Sequence, residues 1–145
     1  MMEIIATRQN MWRAYGRVVA NKGAPGVDGM TVGHMKAFLK RCWPEIKQAL
    51  LDGTYQPLPV RGKEIPKPNG GVRRLGIPTV TDRLIQQAAA QVLQEIWEPT
   101  FSDKSFGFRP GKSAHDALTC AQTYVRDGYR HIVDMDLEKF FDHPC

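Results

Sequence analysis

Two patterns are absent from this sequence: a cysteine framework and a long apolar run. The three cysteines, Cys42, Cys120 and Cys145, are too few and too scattered for a disulfide framework, and none belongs to a C-x-x-C pair. The four histidines have no zinc-ligand spacing with them. These absences exclude a disulfide-stapled or zinc-finger domain, and we expect free thiols in a reducing cytosol.

The apolar runs are also short, all below the roughly 18 residues that span a bilayer. The N-terminal stretch MMEIIATRQNMW places Glu3 and Arg8 around a very short apolar run, which does not match a signal peptide. We therefore expect a cytoplasmic protein with no membrane partner.

The composition is that of a globular domain with a basic bias. The chain has 145 residues, of which 42% are hydrophobic and 24% charged, which fits one domain with a modest core. The net charge of +5 indicates an anionic partner. Nucleic acid is the first candidate because the basic residues are locally clustered, although charge alone is shared with other basic soluble proteins.

Apolar spacing and capping residues predict five helices. The first covers residues 4–20 and ends near Gly23. Thr31 is a possible N-cap of the second, Pro44 suits the first turn of a third, and Gly53 ends it. The fourth begins at the capping-box sequence of residues 79–82 and runs to about Trp97, and the fifth runs from Ser113 to about Arg126.

The stretch Tyr55–Pro78 contains too many prolines for a helix and predicts a β-hairpin around Asn69-Gly70. Its basic residues suit phosphate binding, because Lys acts as a point charge and Arg as a fork. An ordinary basic surface hairpin is the alternative. The cations are Arg61, Lys63, Lys67, Arg73 and Arg74, against one acid, Glu64.

Two loops are also candidates for contact with a ligand. The stretch GAPGVDG, Gly23–Gly29, would let backbone amides approach a ligand, or it is only a tight connection. Residues 101–112, FSDKSFGFRPGK, place aromatic rings beside Arg109 and Lys112. Such rings stack on bases while the cations meet phosphate, or they pin the loop to the core.

The stretch RHIVDMDLEKFFD, Arg130 to Asp142, predicts a strand. Asp134, Asp136 and Glu138 would share one face, and the apolar residues between them would bury the other. Carboxylates on one face suit a divalent cation such as Mg²⁺. A solvated acidic face is the alternative.

Five strings occur in order along the chain: GAPGVDG, IPKPNGGVRRLGIPT, DRLIQQA, SFGFRPGKSAHDA and DMDLEKFFD. Together they resemble the N-terminal half of the reverse transcriptase domain of group II intron-encoded proteins, the bacterial retroelement maturases. The resemblance covers about Gly23 to Asp142 and implies an α+β fold. That fold is a partial right-hand polymerase, with fingers and an incomplete palm, rich in helices, with a basic β-hairpin and a terminal palm strand.

The resemblance also divides residues 1–145, as the N-terminal part of that domain, into three segments. Residues 1–22 would form an N-terminal helix, residues 23–128 the fingers and palm helices, and residues 129–145 the first catalytic palm strand. It implies an RNA-directed DNA polymerase that performs two-metal nucleotidyl transfer. Its partners would be an RNA template such as intron RNA, a DNA primer and a dNTP, with the oligomeric state left open.

Individual residues take roles from the resemblance. Asp136 matches the first catalytic aspartate, which binds both Mg²⁺ ions, and Leu137 would offer its backbone carbonyl to a metal. Lys67 and Arg73 match the cations that hold the triphosphate, Arg74 would be their neighbour at the dNTP, and Phe141 would pack under the sugar of the incoming dNTP. The segments near template RNA include Gly23, Pro25, Gly26, Asp28, Gly29, Phe108, Arg109 and Pro110.

One departure from the family bears on activity. The family has a second acidic pair in a Tyr-Ala-Asp-Asp-type hairpin, and this sequence has none. We therefore expect a truncated chain that is inactive by itself and binds Mg²⁺ weakly or not at all. The alternatives are a non-catalytic RNA-binding module, a decayed retroelement product, or a related retroelement or defence-associated reverse transcriptase.

Overall fold

The structure is a computed structural model that describes residues 1–68 and 70–137. The chain forms two compact units, Met1–Pro99 and a second that begins at Thr100. The described residues are mostly helical and contain one two-stranded antiparallel sheet, so the predicted α+β class is confirmed at this level.

The N-terminus forms two helices, α1 (Met2–Ile5) and α2 (Arg8–Asn21), where the sequence predicts one. The break falls at Thr7, which has an extended backbone and precedes α2. The Thr7 hydroxyl donates to the carbonyl of Ile4 at 2.9 Å. A threonine that hydrogen-bonds its own local backbone competes with the helix in this way, so the single-helix prediction is wrong at this point.

The next helix, α3 (Val32–Leu51), is continuous through Pro44, where two helices are predicted. A proline inside a helix removes one backbone hydrogen bond and costs about 3 kcal/mol. Met35 and Leu50 are both buried, one on each side of the proline, so packing along the whole helix offsets that cost. Gly53 follows with a φ of 70°, as predicted for a helix end.

The predicted hairpin is confirmed as β1 (Arg61–Pro66) and β2 (Val72–Ile77), paired antiparallel. The pairing continues one position beyond the strands, because the Lys67 N–H donates to the Gly71 carbonyl at 3.0 Å. Gly70 and Gly71 both have a φ of 85°, a conformation that favours glycine. The other predicted turn residue, Asn69, lies outside the described residues.

The long helix α4 (Val80–Trp97) begins at the predicted cap, with the Thr79 hydroxyl accepting from the Asp82 N–H at 3.1 Å. It is followed by a short 3-10 turn, Glu98–Thr100. The α4 helix packs mainly against α2, and around this contact lies the core of the N-terminal unit. The core consists of Ile5, Met11, Ala14, Val18, Met35, Val80, Leu84, Ala88 and Val92.

A buried polar network crosses the same helix contact. The Asn10 amide donates to the carbonyls of Ile5 and Ala88, each at 2.9 Å. The Gln91 amide donates to Asn10 Oδ1 at 2.7 Å. These bonds fix the register of α1 and α2 on α4, because a buried amide left unpaired would cost free energy. Among the described helices, none has both the length and the apolar character required to cross a membrane.

The second unit contains α5 (Ala114–Arg126), which begins with the predicted cap. The Ser113 hydroxyl accepts from the Asp116 N–H at 3.2 Å, and the Asp116 carboxylate accepts from the Ser113 N–H at 2.8 Å. Gly128 follows with a φ of 97°. Both ends of this helix are therefore set by local signals, as the sequence predicts.

The predicted palm strand is wrong for residues 130–137, which have no regular secondary structure. Val133 and Met135, expected to be buried, are 79% and 87% exposed. A strand needs a neighbour for its backbone hydrogen bonds, and the described residues offer no partner strand to this segment. The remainder of the predicted strand, from Glu138 to Asp142, lies outside the described residues.

Candidate nucleic-acid interface

The register of the hairpin separates its cations onto two faces. Residues directly opposite each other in an antiparallel pair point to the same side. Arg61 pairs with Ile77, Lys63 with Leu75 and Arg73 with Ile65, so these residues share one face. Lys67 lies two positions after Ile65, so its side chain points to the same face. We call the set Arg61, Lys63, Lys67 and Arg73 the cation face.

The opposite face is electrically balanced. Glu64 lies opposite Arg74, and Arg74 Nε is 3.1 Å from Glu64 Oε1. Exposed ion pairs of this kind contribute at most about 1 kcal/mol to stability, but they determine where a side chain points. Arg73 and Arg74 are sequence neighbours with different environments. Alternation puts the two arginines on opposite faces, and the register adds that Arg74 lies opposite Glu64.

The cation face is open to ligand. Lys63, Lys67 and Arg73 are exposed, Arg61 is half-buried, and none forms an ion pair with a described residue. Within the part of the chain that the structure describes, β1 and β2 contact each other and no helix. A projecting ribbon with cations on one side is suited to hold the oxygens of a phosphate chain.

The glycine-rich loop is built against the base of the hairpin. Gly26 is buried, and a Cβ there would lie 2.7 Å from Thr79 Cα. A Cβ at Gly23 would overlap the Arg83 guanidinium, which donates to the Ala24 carbonyl at 2.7 Å. Of the predicted RNA contacts, Gly26 is therefore a glycine because the Thr79 backbone approaches it closely, whereas Gly23 faces the end of the Arg83 side chain.

The tip of that loop is the part that faces solvent. Asp28 and Gly29 are exposed, while Pro25 is half-buried. The Asp28 carboxylate accepts from the Met30 N–H at 3.1 Å, and Gly29 has a φ of 67°. This turn leaves the Asp28–Gly29 backbone accessible, so the predicted RNA contact remains a prediction for the tip.

In the second unit, the predicted RNA-contacting Arg109 organises its own loop. Its guanidinium donates to the carbonyls of Ser102 and Ser105, at 2.6 and 3.1 Å, and lies 5.3 Å from the Phe101 ring centre. Lys112 makes a similar contact, 5.4 Å from the Phe106 ring. These cation–π contacts join residues of the loop to one another, and the stacking of its aromatic residues on bases stays a prediction.

Phe108 differs from the other aromatic residues of that loop. It is fully exposed and has a φ of 55°, an unusual conformation for a bulky residue. Such backbone strain costs about 1–3 kcal/mol and is typical of functional positions. The exposed ring beside Pro110, which is also exposed, is free to stack on a base.

The predicted metal ligand Asp136 is exposed, and its Oδ1 accepts from the Leu137 N–H at 2.9 Å. Among residues 1–68 and 70–137, no three His, Cys, Asp or Glu side chains are grouped so as to hold a metal ion. Asp136 and the Leu137 carbonyl therefore do not form a metal site by themselves. Phe141, predicted to contact the dNTP, lies outside the described residues.

Sequence reasoning missed a groove between α2 and α3. Its cavity of about 390 Å³ has the aromatic side chains of Trp12, Tyr15 and Trp43 in its lining. Four cations also line it: Arg8, Lys36, Lys40 and Lys47. We call these seven residues the aromatic groove.

A periodic signal for this groove was present in the sequence. Lys36, Lys40, Trp43 and Lys47 recur at the spacing of one helical face. A predicted helix boundary at Pro44 interrupts that periodicity, whereas the continuous α3 places all four residues on one face.

The described residues form an α+β fold with a one-sided cation face, an exposed aromatic residue and a basic aromatic groove. Residues 65–143, more than half of the chain, match the reverse transcriptase (RNA-dependent DNA polymerase) family. The chain belongs to this family.

Individual relatives place it more narrowly. It is 43% identical to the group II intron-encoded protein LtrA of Lactococcus lactis subsp. cremoris, over 90% of this chain and 22% of the relative. It is 36% identical to protein YkfC of Escherichia coli K12, over 98% of this chain and 39% of the relative. It is also 39% identical to the mitochondrial nuclear intron maturase 2 of Arabidopsis thaliana, over 42% of this chain and 8% of the relative.

The chain thus spans less than half the length of these relatives. The resemblance to group II intron reverse transcriptases that the motifs indicated is confirmed.

Proposed function

We propose that this chain acts within a group II intron RNA-directed DNA polymerase, where its hairpin holds the triphosphate of the incoming dNTP. The cation face carries this proposal. Four cations on one side of an exposed ribbon, with the one acid of the hairpin on the other side, form a surface for a highly charged anion.

Within the cation face, Lys67 and Arg73 would bind the triphosphate. Nucleotide addition develops negative charge on the β and γ phosphates, and fixed cations stabilise that charge. Arg74 would contribute less, because its guanidinium already pairs with Glu64 on the opposite face.

The remaining site residues keep their proposed roles. Asp136 would supply one carboxylate to a divalent ion, which we take to be Mg²⁺, with the Leu137 carbonyl as a neighbour. The other ligands would have to come from outside the described residues. Phe141 would pack under the dNTP sugar, and the loop tip at Asp28–Gly29 and the ring of Phe108 would contact the RNA template.

The hairpin assignment is tested by comparing Lys67→Ala and Arg73→Ala with Arg74→Ala as the matched control. Titration of the 145-residue chain with a dNTP, followed by ³¹P NMR, measures the affinity. We expect each of the first two changes to weaken binding about three- to tenfold, because an exposed charged contact is partly screened. Arg74→Ala should change it by less than about twofold. Equal losses in all three variants would contradict the assignment of a single face.

The aromatic groove favours a second candidate function, binding of single-stranded nucleic acid without catalysis. Trp12 and Tyr15 meet edge to face, with ring centres 5.5 Å apart. Lys36 and Lys40 are one helical turn apart, and Trp43 lies between Lys40 and Lys47 on the same face. Bases stacking on the rings, with phosphates on the lysines, would contribute about 1–3 kcal/mol per base.

An oligo(U) titration followed by tryptophan fluorescence tests this second candidate. Trp43→Ala should weaken binding about tenfold, and Lys40→Ala should reduce its salt dependence by about one phosphate contact. Trp97→Phe, on α4 and away from the groove lining, is the control. Binding that survives Trp43→Ala unchanged would exclude the groove and leave the cation face as the polyanion site.

A further inference from the structure

One buried carboxylate holds the chain on both sides of the hairpin. Asp82 lies in the first turn of α4 and is only 3% exposed. The Tyr55 hydroxyl donates to its Oδ1 at 2.7 Å, and the Thr79 hydroxyl donates to its Oδ2 at 2.6 Å. Tyr55 precedes β1, and Thr79 follows β2 closely. A single side chain therefore fixes the entry and the exit of the hairpin.

The two hydrogen bonds to Asp82 satisfy a buried carboxylate. A buried carboxylate is costly unless donors satisfy it, and here each oxygen accepts from a hydroxyl. Burial, and then the hydrogen bond to Asp82, raises the pKa of Tyr55 above its ordinary value. The phenol therefore stays protonated and remains a donor to Asp82.

The anchor at Tyr55 is transmitted to β1 by a stiff connection. Pro57 and Pro59 restrict the backbone between Tyr55 and the strand. At the end of the connection, Val60 packs over Gly76 of β2, where a Cβ would lie 2.9 Å from Val60 Cγ2. Movement at Tyr55 would therefore displace the base of the hairpin.

The next residue, Arg83, holds the glycine-rich loop. Its Nη2 donates to the Ala24 carbonyl at 2.7 Å, and its guanidinium occupies the space that a side chain at Gly23 would need. Gly26, in the same loop as Gly23, lies against the backbone of Thr79. Two consecutive residues of α4 thus reach two different segments, the hairpin entry and the loop.

In the described part of the chain, the strands of the hairpin pack against no helix, and Gly26 of the glycine-rich loop meets the chain just after them at Thr79. We propose that Asp82 and Arg83 are positioning residues that hold the cation face and the glycine-rich loop at a fixed separation through the first turn of α4. The positioning itself is argued from the contacts described above. Its consequence for nucleotide binding rests on the proposed function of the cation face. A helix cap alone would need only the bond between Thr79 and Asp82.

Distance measurement between spin labels tests the structural part. In a chain with its three cysteines replaced by serine, labels are placed at exposed positions: Val72 on β2, Gln86 on α4 and Val27 on the loop. Tyr55→Phe should broaden the Val72–Gln86 distribution and leave Val27–Gln86 unchanged. Arg83→Gln should do the reverse. Tyr129→Phe, an exposed tyrosine of the second unit, is the matched control.

Affinity for a dNTP in the same variants tests the consequence. Tyr55→Phe should weaken binding about two- to tenfold, because the binding-competent position of the hairpin is less populated. Asp82→Asn keeps an acceptor for Tyr55 and should restore most of the affinity lost in Asp82→Ala. Arg83→Lys keeps a donor for Ala24 and should restore the narrow loop distance. The thermal midpoint of each variant shows that it is folded during both measurements.

The outcomes separate the two proposals. Tyr55→Phe could lower the thermal midpoint and leave the Val72–Gln86 distance unchanged. That result would overturn the positioning role, because the contact would then only add stability. The other decisive outcome combines altered distances with no dNTP binding by any variant or by the unaltered chain. It would support the positioning role and contradict the proposed function of the cation face.

Discussion

The two units of this chain both contain capped helices, but among the described residues only the N-terminal unit has buried ones. In the N-terminal unit, helices α2 and α4 bury Ala14, Leu84 and Ala88 against each other. In the second unit, α5 is equally well capped, yet none of the described residues from Thr100 to Leu137 is buried. The difference shows that local signals suffice to form a helix, whereas a core requires partners that are distant in sequence.

The same contrast separates the two predicted sheet segments. The strands β1 and β2 are close in sequence, so the hairpin supplies its own partner. Residues 130–137 have an alternating pattern as regular as that of the hairpin, but they pair with no described strand. The alternation of polar and apolar residues predicts which face of a strand each side chain would take. Hydrogen bonding to a neighbouring strand decides whether the strand forms.

The largest expected effect compares the same substitution in the two units. Leu84→Ala, at a position 1% exposed, should cost about 2–5 kcal/mol in unfolding free energy because it leaves a cavity. Leu118→Ala, at a position 61% exposed, should change it by less than about 0.5 kcal/mol. Urea denaturation followed by circular dichroism measures both. Similar costs would show that α5 has a core of its own.

A second comparison uses the two helix caps, in each of which a hydroxyl accepts from the N–H of an aspartate three residues further on. Ser113→Ala should cost about 1 kcal/mol, the usual value for an exposed cap. Thr79→Ala should cost about 2 kcal/mol or more, because it also removes a donor from the buried Asp82 carboxylate. Amide hydrogen exchange resolves the change in each helix. Equal losses of protection would mean that burial adds nothing to the cap at Thr79.

The smallest effect is a pH dependence confined to α5. The hydrogen bond from the Ser113 hydroxyl, and then that from the Ser113 backbone, lowers the pKa of Asp116 below its ordinary value of 3.8. A lowered pKa in the folded state means that the contribution of Asp116 is complete above about pH 3.8 and is lost as the pH falls through the folded value.

An NMR titration of the Asp116 carboxyl checks this, with Ser113→Ala as its control. The variant should move the pKa back towards 3.8. An Asp116 pKa that is the same with and without the serine hydroxyl would exclude the capping box as its cause.

Much of the fold was predictable, because it depends on neighbours in sequence. The caps at Thr79 and Ser113, the glycine that ends α3 and the turn of the hairpin each follow from interactions within a few residues. The family was predictable for a different reason, since its motifs occur in order along the chain. The same motifs predict which residues would hold nucleotide.

The candidate site was less predictable, because it depends on register and close approach. The position of Arg74 opposite Glu64 follows from strand pairing, and the aromatic groove follows from packing two helices together. The glycines of the loop suggested ligand contact, but Gly26 is required by the backbone at Thr79. Each of these features depends on segments that only the folded chain brings together.

The sequence by itself determined the caps of α4 and α5, the glycine that follows α3 and the hairpin, and which family the chain belongs to. Only the tertiary structure decided that α3 continues through Pro44, that four cations share one face, and that Asp82 and Arg83 hold two separate segments. The physical reason is the range of the interactions. Caps and turns act over a few residues, whereas burial and strand pairing join residues that only the folded chain brings together.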